Sequence, residues 1–294
     1  MILLTGTNGV VGYPLKAKLS DKGYSYVEVS RKVSELKTSL EWDLEQAMPD
    51  TVKTQLSGCD TLVHCAPIWL LPDHLDKLIE LGFKRLIVFS STSVLSKQES
   101  ANLEEQQLVS LLATAEKTIQ KISLEHAINL TILRPSMIYG HGRDQNIMQI
   151  ADFIRKFRFM VLVGEAKGER QPVHADDLVD VCCSILDKPI TYGKAYNLAG
   201  GEVLPYRRMV ERIFIAMQKK PLILSLPLGV FRFALRMAAR LTSFAYTPEM
   251  ADRMNKDLSY SNQEAIEDFD YQPQLFLQNP QRDLKLENHA GSSS

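Results

Sequence analysis

Three glycines recur at three-residue intervals in Thr5-Gly6-Thr7-Asn8-Gly9-Val10-Val11-Gly12. Glycine has no Cβ, so this backbone can bring a row of N–H donors close to an anionic group. The run follows the apolar residues Ile2-Leu4 and opens a helix at Tyr13. In that context the main chain of Gly6, Thr7, Asn8, Gly9, Val10 and Val11 and the positive helix end would stabilise a pyrophosphate, while Gly12 lets helix and strand pack closely. A strand-turn-helix in which the glycines only make the turn is the plainer alternative.

Eighteen residues after Gly12 the second strand ends in Ser30-Arg31-Lys32, where an NAD site would place a carboxylate for the ribose hydroxyls. No Asp or Glu stands there. The Arg31 guanidinium and the Ser30 hydroxyl suit a 2′-phosphate instead, through charge-assisted bonds of roughly 1.5–3 kcal/mol. The expected cofactor is therefore NADP(H), with NAD second. Glu28, two residues earlier on the same side as Ser30, blurs this choice, and a solvated basic turn is the alternative. Further on, Gly142-Arg143-Asp144-Gln145-Asn146 precedes a helix at Ile147, so Arg143 and Asn146 stand where a substrate phosphate could use a helix N-terminus.

The elements that must position these residues follow from periodicity. Short apolar or β-branched runs at Ile2-Leu4, Tyr26-Val29, Thr61-Cys65, Leu86-Ser90 and Leu130-Leu133 alternate with helical patterns at Tyr13-Lys22, Leu71-Leu81 and Leu103-His126. This predicts an α/β fold, a doubly wound parallel Rossmann sheet with a smaller C-terminal substrate or lid region. Residues 1–135 form the dinucleotide-binding domain, its sheet completed by later segments near 170–200; residues 136–288 form mainly a lid rather than a second independent core. Helices are expected in that region at Ile147-Arg158, Ala175-Leu186, Arg207-Met217, Gly229-Leu241 and Pro248-Met254, and residues 289–294 read as a disordered tail.

Composition excludes several classes. With 294 residues, 45% hydrophobic and 23% charged, the chain can bury a large core and is not disordered. Its net charge of −1 gives no global field toward nucleic acid, and no base-reading element is visible. Cys59, Cys65, Cys182 and Cys183 include no C-x-x-C, which fits neither a disulfide framework nor a metal site and points to a reducing cytoplasm. Met1-Ile-Leu-Leu-Thr5 has no basic region and does not read as a signal peptide. The apolar stretch Leu222 to Ala245 is interrupted by Arg232, Arg236 and Arg240, so no transmembrane helix is expected. Those three arginines share one helix face, a solvated basic face or a peripheral membrane contact.

In order along the chain, the glycine turn, Asp43-Leu44, His64-Cys65-Ala66-Pro67, Phe89-Ser90-Ser91-Thr92-Ser93-Val94, Arg134-Pro135-Ser136-Met137-Ile138-Tyr139-Gly140, Arg170-Gln171-Pro172-Val173-His174-Ala175-Asp176-Asp177 and Tyr196-Asn197 make one pattern. It resembles the extended short-chain dehydrogenase/reductase superfamily, the branch of NAD(P)-dependent nucleotide-sugar epimerases, dehydratases and reductases. The resemblance covers most of the chain. It implies that Asp43 bonds the adenine amine beside Leu44, that Cys65, Ala66 and Pro67 line the adenosine side, and that Pro135 and Ser136 flank the nicotinamide. It also implies that Arg170 holds a substrate diphosphate and that Ser91 orients the reacting oxygen. Asp43 as a cap, His64 and Cys65 as core residues, and Arg143 or Arg170 paired with Asp144, Glu169 or Asp176 are the structural alternatives.

One departure stands out. The superfamily's proton relay resembles a Tyr-x-x-x-Lys helix, but alignment on Glu116 places Leu108 and Leu112 at those positions, and none of the ten tyrosines has lysine four residues later. Leu108, Leu111, Leu112, Ala115 and Ile119 instead form a packing stripe. For catalysis this leaves Ser91 and Tyr139, the latter more a packing residue of the lid. The resulting reading is an NAD(P)-dependent epimerase/dehydratase-like oxidoreductase acting on an anionic nucleoside-diphosphate-sugar. The alternative is a catalytically silent dinucleotide-binding structural or redox-sensing protein, like an accessory subunit of respiratory complex I. The helix at Leu103-His126 is compatible with a homodimer.

Overall fold

The computed structural model describes residues 1–32, 38–96, 102–231 and 253–286. They divide into two compact units, one of residues 1–32, 38–96, 102–136, 175–198 and 260–273, the other of residues 137–174, 199–231, 253–259 and 274–286. The helices expected at Pro248-Met254 and over most of Gly229-Leu241, with Arg232, Arg236 and Arg240, lie outside the described residues, as does the tail at 289–294. Among the described residues no helix is long and apolar enough to cross a membrane.

In the first unit, strands β1 (Ile2–Thr5), β2 (Tyr26–Ser30), β3 (Ser39–Glu41), β4 (Thr61–His64), β5 (Arg85–Phe89), β6 (Asn129–Pro135) and β11 (Lys194–Leu198) form one sheet in the order β11-β6-β5-β4-β1-β2-β3. Every pairing is parallel. A parallel sheet is covered on both faces, which is why residues 2–4 of β1 and 86–89 of β5 read as unbroken apolar runs and both strands are buried at every residue. The crossover helices α1 (Gly12–Asp21), α5 (Leu103–Glu125) and α7 (Ala175–Ser184) pack on it.

Helix α5 begins where the Asn102 side chain accepts hydrogen bonds from the Glu104 and Glu105 amides, and acidic residues in its first turn suit the helix dipole. Its buried face is Val109, Leu112, Ala115 and Ile119. Leu108 and Leu111, expected in the packing stripe, are 36% and 49% exposed. Leu112, Ala115 and Ile119 are buried as expected, and Val109 takes the place of Leu108 in the first turns.

The second unit has its own core, which corrects the expectation of a lid without one. Tyr139, Ile150, Ile154, Leu162, Met209, Ile213 and Phe214 are buried together. The unit contains helices α6 (Ile147–Phe157) and α8 (Tyr206–Ala216) and three two-stranded pairs. These join β7 (Ile138–Tyr139) with β10 (Val173–His174), β9 (Glu169–Arg170) with β12 (Leu204–Pro205), and β8 (Met160–Val163) with β13 (Ile223–Leu226). Residues 260–273, assigned to the lid on sequence grounds, belong to the sheet unit.

Candidate functional site

Strand β1 lies between β2 and β4, so the chain turns one way after β1 and the other way after β4. The carboxyl ends at such a switch point open a crevice, the usual ligand position in open α/β sheets. The glycine turn forms one wall. Gly6 has φ +70°, and a Cβ there would fall 2.4 Å from the Ala66 nitrogen and the Cys65 carbonyl carbon. A Cβ on Gly12 would fall 2.3 Å from the Gly6 carbonyl oxygen. Both glycines are thus required by the backbone packing of β1, α1 and the end of β4. Gly9 differs: it is exposed, donates its N–H to the Gly6 oxygen at 3.0 Å, and a Cβ there would meet that same oxygen at 3.2 Å, tight but without overlap. Val11 offers no capping oxygen to α1, and no acidic residue stands in the first turn.

The opposite wall is fixed by His64. Thr5 Oγ1 lies 2.9 Å from His64 Nδ1, and the Pro67 carbonyl oxygen lies 3.2 Å from Nε2. Nε2 faces an acceptor and so carries a proton, and in the neutral ring Nδ1 accepts from the threonine hydroxyl. Burial lowers the imidazole to about 4. Cys65 and Ala66 are half-exposed and Pro67 is exposed at this rim. The Cys65 thiol is itself enclosed, and burial pushes it up. Asp43 Oδ1 accepts the Glu45 amide at 3.1 Å, a turn-forming contact, and the carbonyl of the half-buried Leu44 accepts from His74 Nε2 at 2.8 Å.

At the end of β2, Ser30 Oγ donates to the Lys32 carbonyl at 2.5 Å and Arg31 is exposed. Glu28 is buried and ion-paired with Lys16 of α1 at 3.0 Å. Its carboxylate therefore serves the packing of α1 on β2, and Arg31 is the exposed cation at the strand end.

The loop after β5 runs beside the end of β6. The Thr92 amide and hydroxyl both donate to the Pro135 carbonyl, at 3.1 and 3.2 Å. This contact sets Ser91 near Pro135, which is buried, and near Ser136, which is half-buried. Ser91 Oγ donates to Ser93 Oγ at 3.0 Å and accepts the Ser93 amide at 3.1 Å, at the start of the short helix α4 (Ser93–Ser96). Arg134, one residue before Pro135, forms a two-pronged pair with Glu116 of α5, with Nε 3.0 Å from Oε1. At the tyrosine and lysine positions of the resemblance, Leu108 is part-exposed and Leu112 buried. The sequence search missed Tyr260, whose hydroxyl donates to Ser96 Oγ at 2.7 Å. No spacing signal links residues 164 positions apart.

In the second unit, the N-terminus of α6 is already served by a carboxylate. Asp144 Oδ1 accepts the Ile147 and Met148 amides at 2.6 and 3.2 Å, while Arg143 and Asn146 are exposed. The N-terminal amides expected to meet a substrate phosphate are thus engaged by the chain itself. Burial raises the Asp144 carboxyl despite these bonds. Arg170 is 3% exposed; its guanidinium donates to the Glu169, Lys256 and Arg253 carbonyls and lies over the Tyr206 ring. The guanidinium is thus turned to backbone carbonyls of its own unit. Tyr139 packs, as its burial and its edge contact with Phe276 show; its hydroxyl accepts the Leu277 amide at 3.0 Å.

Residues 73–199 match the NAD dependent epimerase/dehydratase family. The chain is 23% identical over 262 residues to a UDP-glucose 4-epimerase of Vibrio cholerae, covering 79% of this chain and 80% of that one. It is 31% identical over 124 residues to the mitochondrial NADH dehydrogenase [ubiquinone] 1 alpha subcomplex subunit 9 of Dictyostelium discoideum, covering 39% of this chain and 34% of that one. The fold is shared with a UDP-glucuronic acid 4-epimerase of Bacillus cereus, solved with UDP-glucuronic acid and NAD. That match has a TM-score of 0.71 at 15% identity and covers 97% of this chain and 98% of that one.

Proposed function

We propose that the chain binds a nicotinamide dinucleotide at the switch point of its sheet and acts as an epimerase/dehydratase-type oxidoreductase on a nucleotide sugar. The observation that carries this reading is the crevice between the glycine turn and Cys65-Ala66-Pro67, where Gly6 and Gly12 are held against backbone and Gly9 is left facing out. The residues fit the group. The main chain from Gly6 to Gly12 would hold the pyrophosphate, Asp43, Leu44, Cys65, Ala66 and Pro67 the adenosine, and Pro135 and Ser136 the nicotinamide. When bound, the nicotinamide supplies or accepts a hydride.

NADP(H) is the favoured form, because Ser30 and Arg31 stand at the end of β2 while Glu28 is engaged by Lys16. Ser91 would orient the reacting oxygen of the substrate. Arg143 and Asn146, exposed in the loop before α6, are the proposed contacts for the substrate's anionic group. The sugar class rests on the family match and on the epimerases that the chain is similar to.

A second reading, dinucleotide binding without turnover, is favoured by one observation. Two leucines occupy the positions that the resemblance gives to the proton-relay tyrosine and lysine on α5. Calorimetric titration with NADPH and NADH, followed by a UDP-sugar and dTDP-sugar turnover screen, separates the two. Micromolar NADPH binding with at least about tenfold weaker NADH supports the favoured form; binding without turnover of any sugar supports the second reading. Binding of neither nucleotide overturns both.

A further inference from the structure

Interconversion of an alcohol and a carbonyl needs a group that gives or takes a proton at oxygen as the hydride moves at carbon. In the first unit the obvious titratable groups beside the β5 and β6 ends are engaged. Glu116 is held in the Arg134 fork, and both ring nitrogens of His64 have partners. Serine hydroxyls are weak acids. What the structure provides is a row of hydroxyls on one side of the segment after β5: Ser91, Ser93 and Ser96 are all half-buried, while Thr92 and Val94 between them are buried. Ser91 and Ser93 are linked at 3.0 Å. Ser93 and Ser96 are one helical turn apart, and residues at that spacing share a helix face. The Tyr260 phenol closes the row at Ser96.

Tyr260 is anchored to this unit from the other direction. Three residues on begins the helix Gln263–Phe269, whose Phe269 ring packs edge-on at 5.0 Å against Tyr196 of β11 and whose Asp268 accepts from Lys194 Nζ at 2.6 Å. Strand β11 pairs with β6 up to Leu198 opposite Pro135, and the Ser136 amide donates to Leu198. The phenol and the proposed nicotinamide edge therefore belong to the same compact unit. Of the other described tyrosines, Tyr139 is buried with its hydroxyl accepting a backbone amide, and Tyr196 is bonded to Asp268.

The geometry points to Tyr260 as the catalytic proton donor and acceptor, in place of the side chains that α5 lacks. This rests on the dinucleotide-dependent reading above. In the reducing direction the Tyr260 O–H bond breaks and its proton forms the new O–H bond on the substrate oxygen. The adjacent carbon takes up an electron pair as hydride from the reduced nicotinamide dinucleotide. The phenolate, held beside Ser96, regains its proton from solvent; oxidation runs the same transfers backward.

The test uses the full chain. Tetranitromethane nitration of Tyr260 is located by peptide mass spectrometry, with and without saturating NADPH and NADH, alongside calorimetry of each nucleotide. The same preparation and Tyr260→Phe are then assayed on whichever sugar of a UDP- and dTDP-sugar panel is turned over. The expected result is at least fivefold less nitration of Tyr260 with bound dinucleotide (about one order of magnitude at most being readable). In Tyr260→Phe, kcat should fall about 10²–10⁴-fold with KM and dinucleotide affinity nearly unchanged. If dinucleotide binds but leaves Tyr260 nitration unchanged, or if Tyr260→Phe turns over like the unaltered chain, the assignment is overturned and the dinucleotide reading survives. If neither dinucleotide binds, both fall. If no panel sugar reacts, the protection result alone decides.

Discussion

Thr5 and His64 face each other at the last paired positions of β1 and β4, and the threonine hydroxyl meets His64 Nδ1 at 2.9 Å. The two strands that part to open the crevice are thus joined by side chains at the point where they part. Burial ties the folded form of this contact to a neutral imidazole.

That dependence has a sign. His64 titrates near 6.5 in the unfolded chain but at about 4 in the folded one. Between those values the unfolded chain binds more protons, so this contribution to stability is fully present above 6.5 and is lost as pH falls toward 4, by up to roughly 3 kcal/mol. Urea unfolding at pH 7 and at about pH 4.5 should show a steeper loss for the unaltered chain than for His64→Gln. Equal losses would show that His64 does not titrate in this window.

The three glycines should separate by function. Gly6→Ala and Gly12→Ala place a Cβ 2.4 and 2.3 Å from backbone atoms, so each should cost about 1–3 kcal/mol or more in unfolding experiments. Gly9→Ala meets its nearest atom at 3.2 Å and should leave stability within about 1 kcal/mol while weakening dinucleotide binding. Equal destabilisation by all three would mean that the turn serves only packing.

Much of the sheet unit was legible in the sequence, because strands buried on both faces appear as unbroken apolar runs and the glycine turn has a fixed offset from β1. Short pieces were not: β3 has three residues, too few for an alternation to show. Only the first turns of the α5 stripe were misread, because leucines at 108 and 111 look like packing positions until Val109 is seen inside. At the site, motif order located Ser91 and Pro135, but two facts needed three dimensions. Asp144 had to be seen capping α6 before the loop of Arg143 and Asn146 lost its free amides, and Tyr260 had to be seen at Ser96.

Arg31 carries a selectivity prediction. Arg31→Ala should weaken NADPH binding by about ten- to a hundredfold, the loss of a charge-assisted bond to phosphate, and leave NADH binding nearly unchanged. Calorimetry on both nucleotides reads this directly. A parallel loss for both would place Arg31 outside any 2′-phosphate contact.

The Glu116–Arg134 pair should behave as a buried one, since the Glu116 side chain is 6% exposed. Arg134→Ala leaves that carboxylate without its partner and should cost about 3–5 kcal/mol, whereas a double replacement by Leu at 116 and Met at 134 should recover most of it. Urea midpoints of the three chains check this; no recovery in the double variant would show that the loss lies elsewhere.

Strand β11 and the helix Gln263–Phe269 both join the first unit after long excursions of the chain through the second. During synthesis, six strands can pair early, but β6 must wait with an open edge until residue 198 has emerged, and Tyr260 arrives later still. A chain interrupted after Ser136 would keep the whole glycine crevice and yet expose that edge to other chains. The first unit is a module in space but not a cassette in the gene.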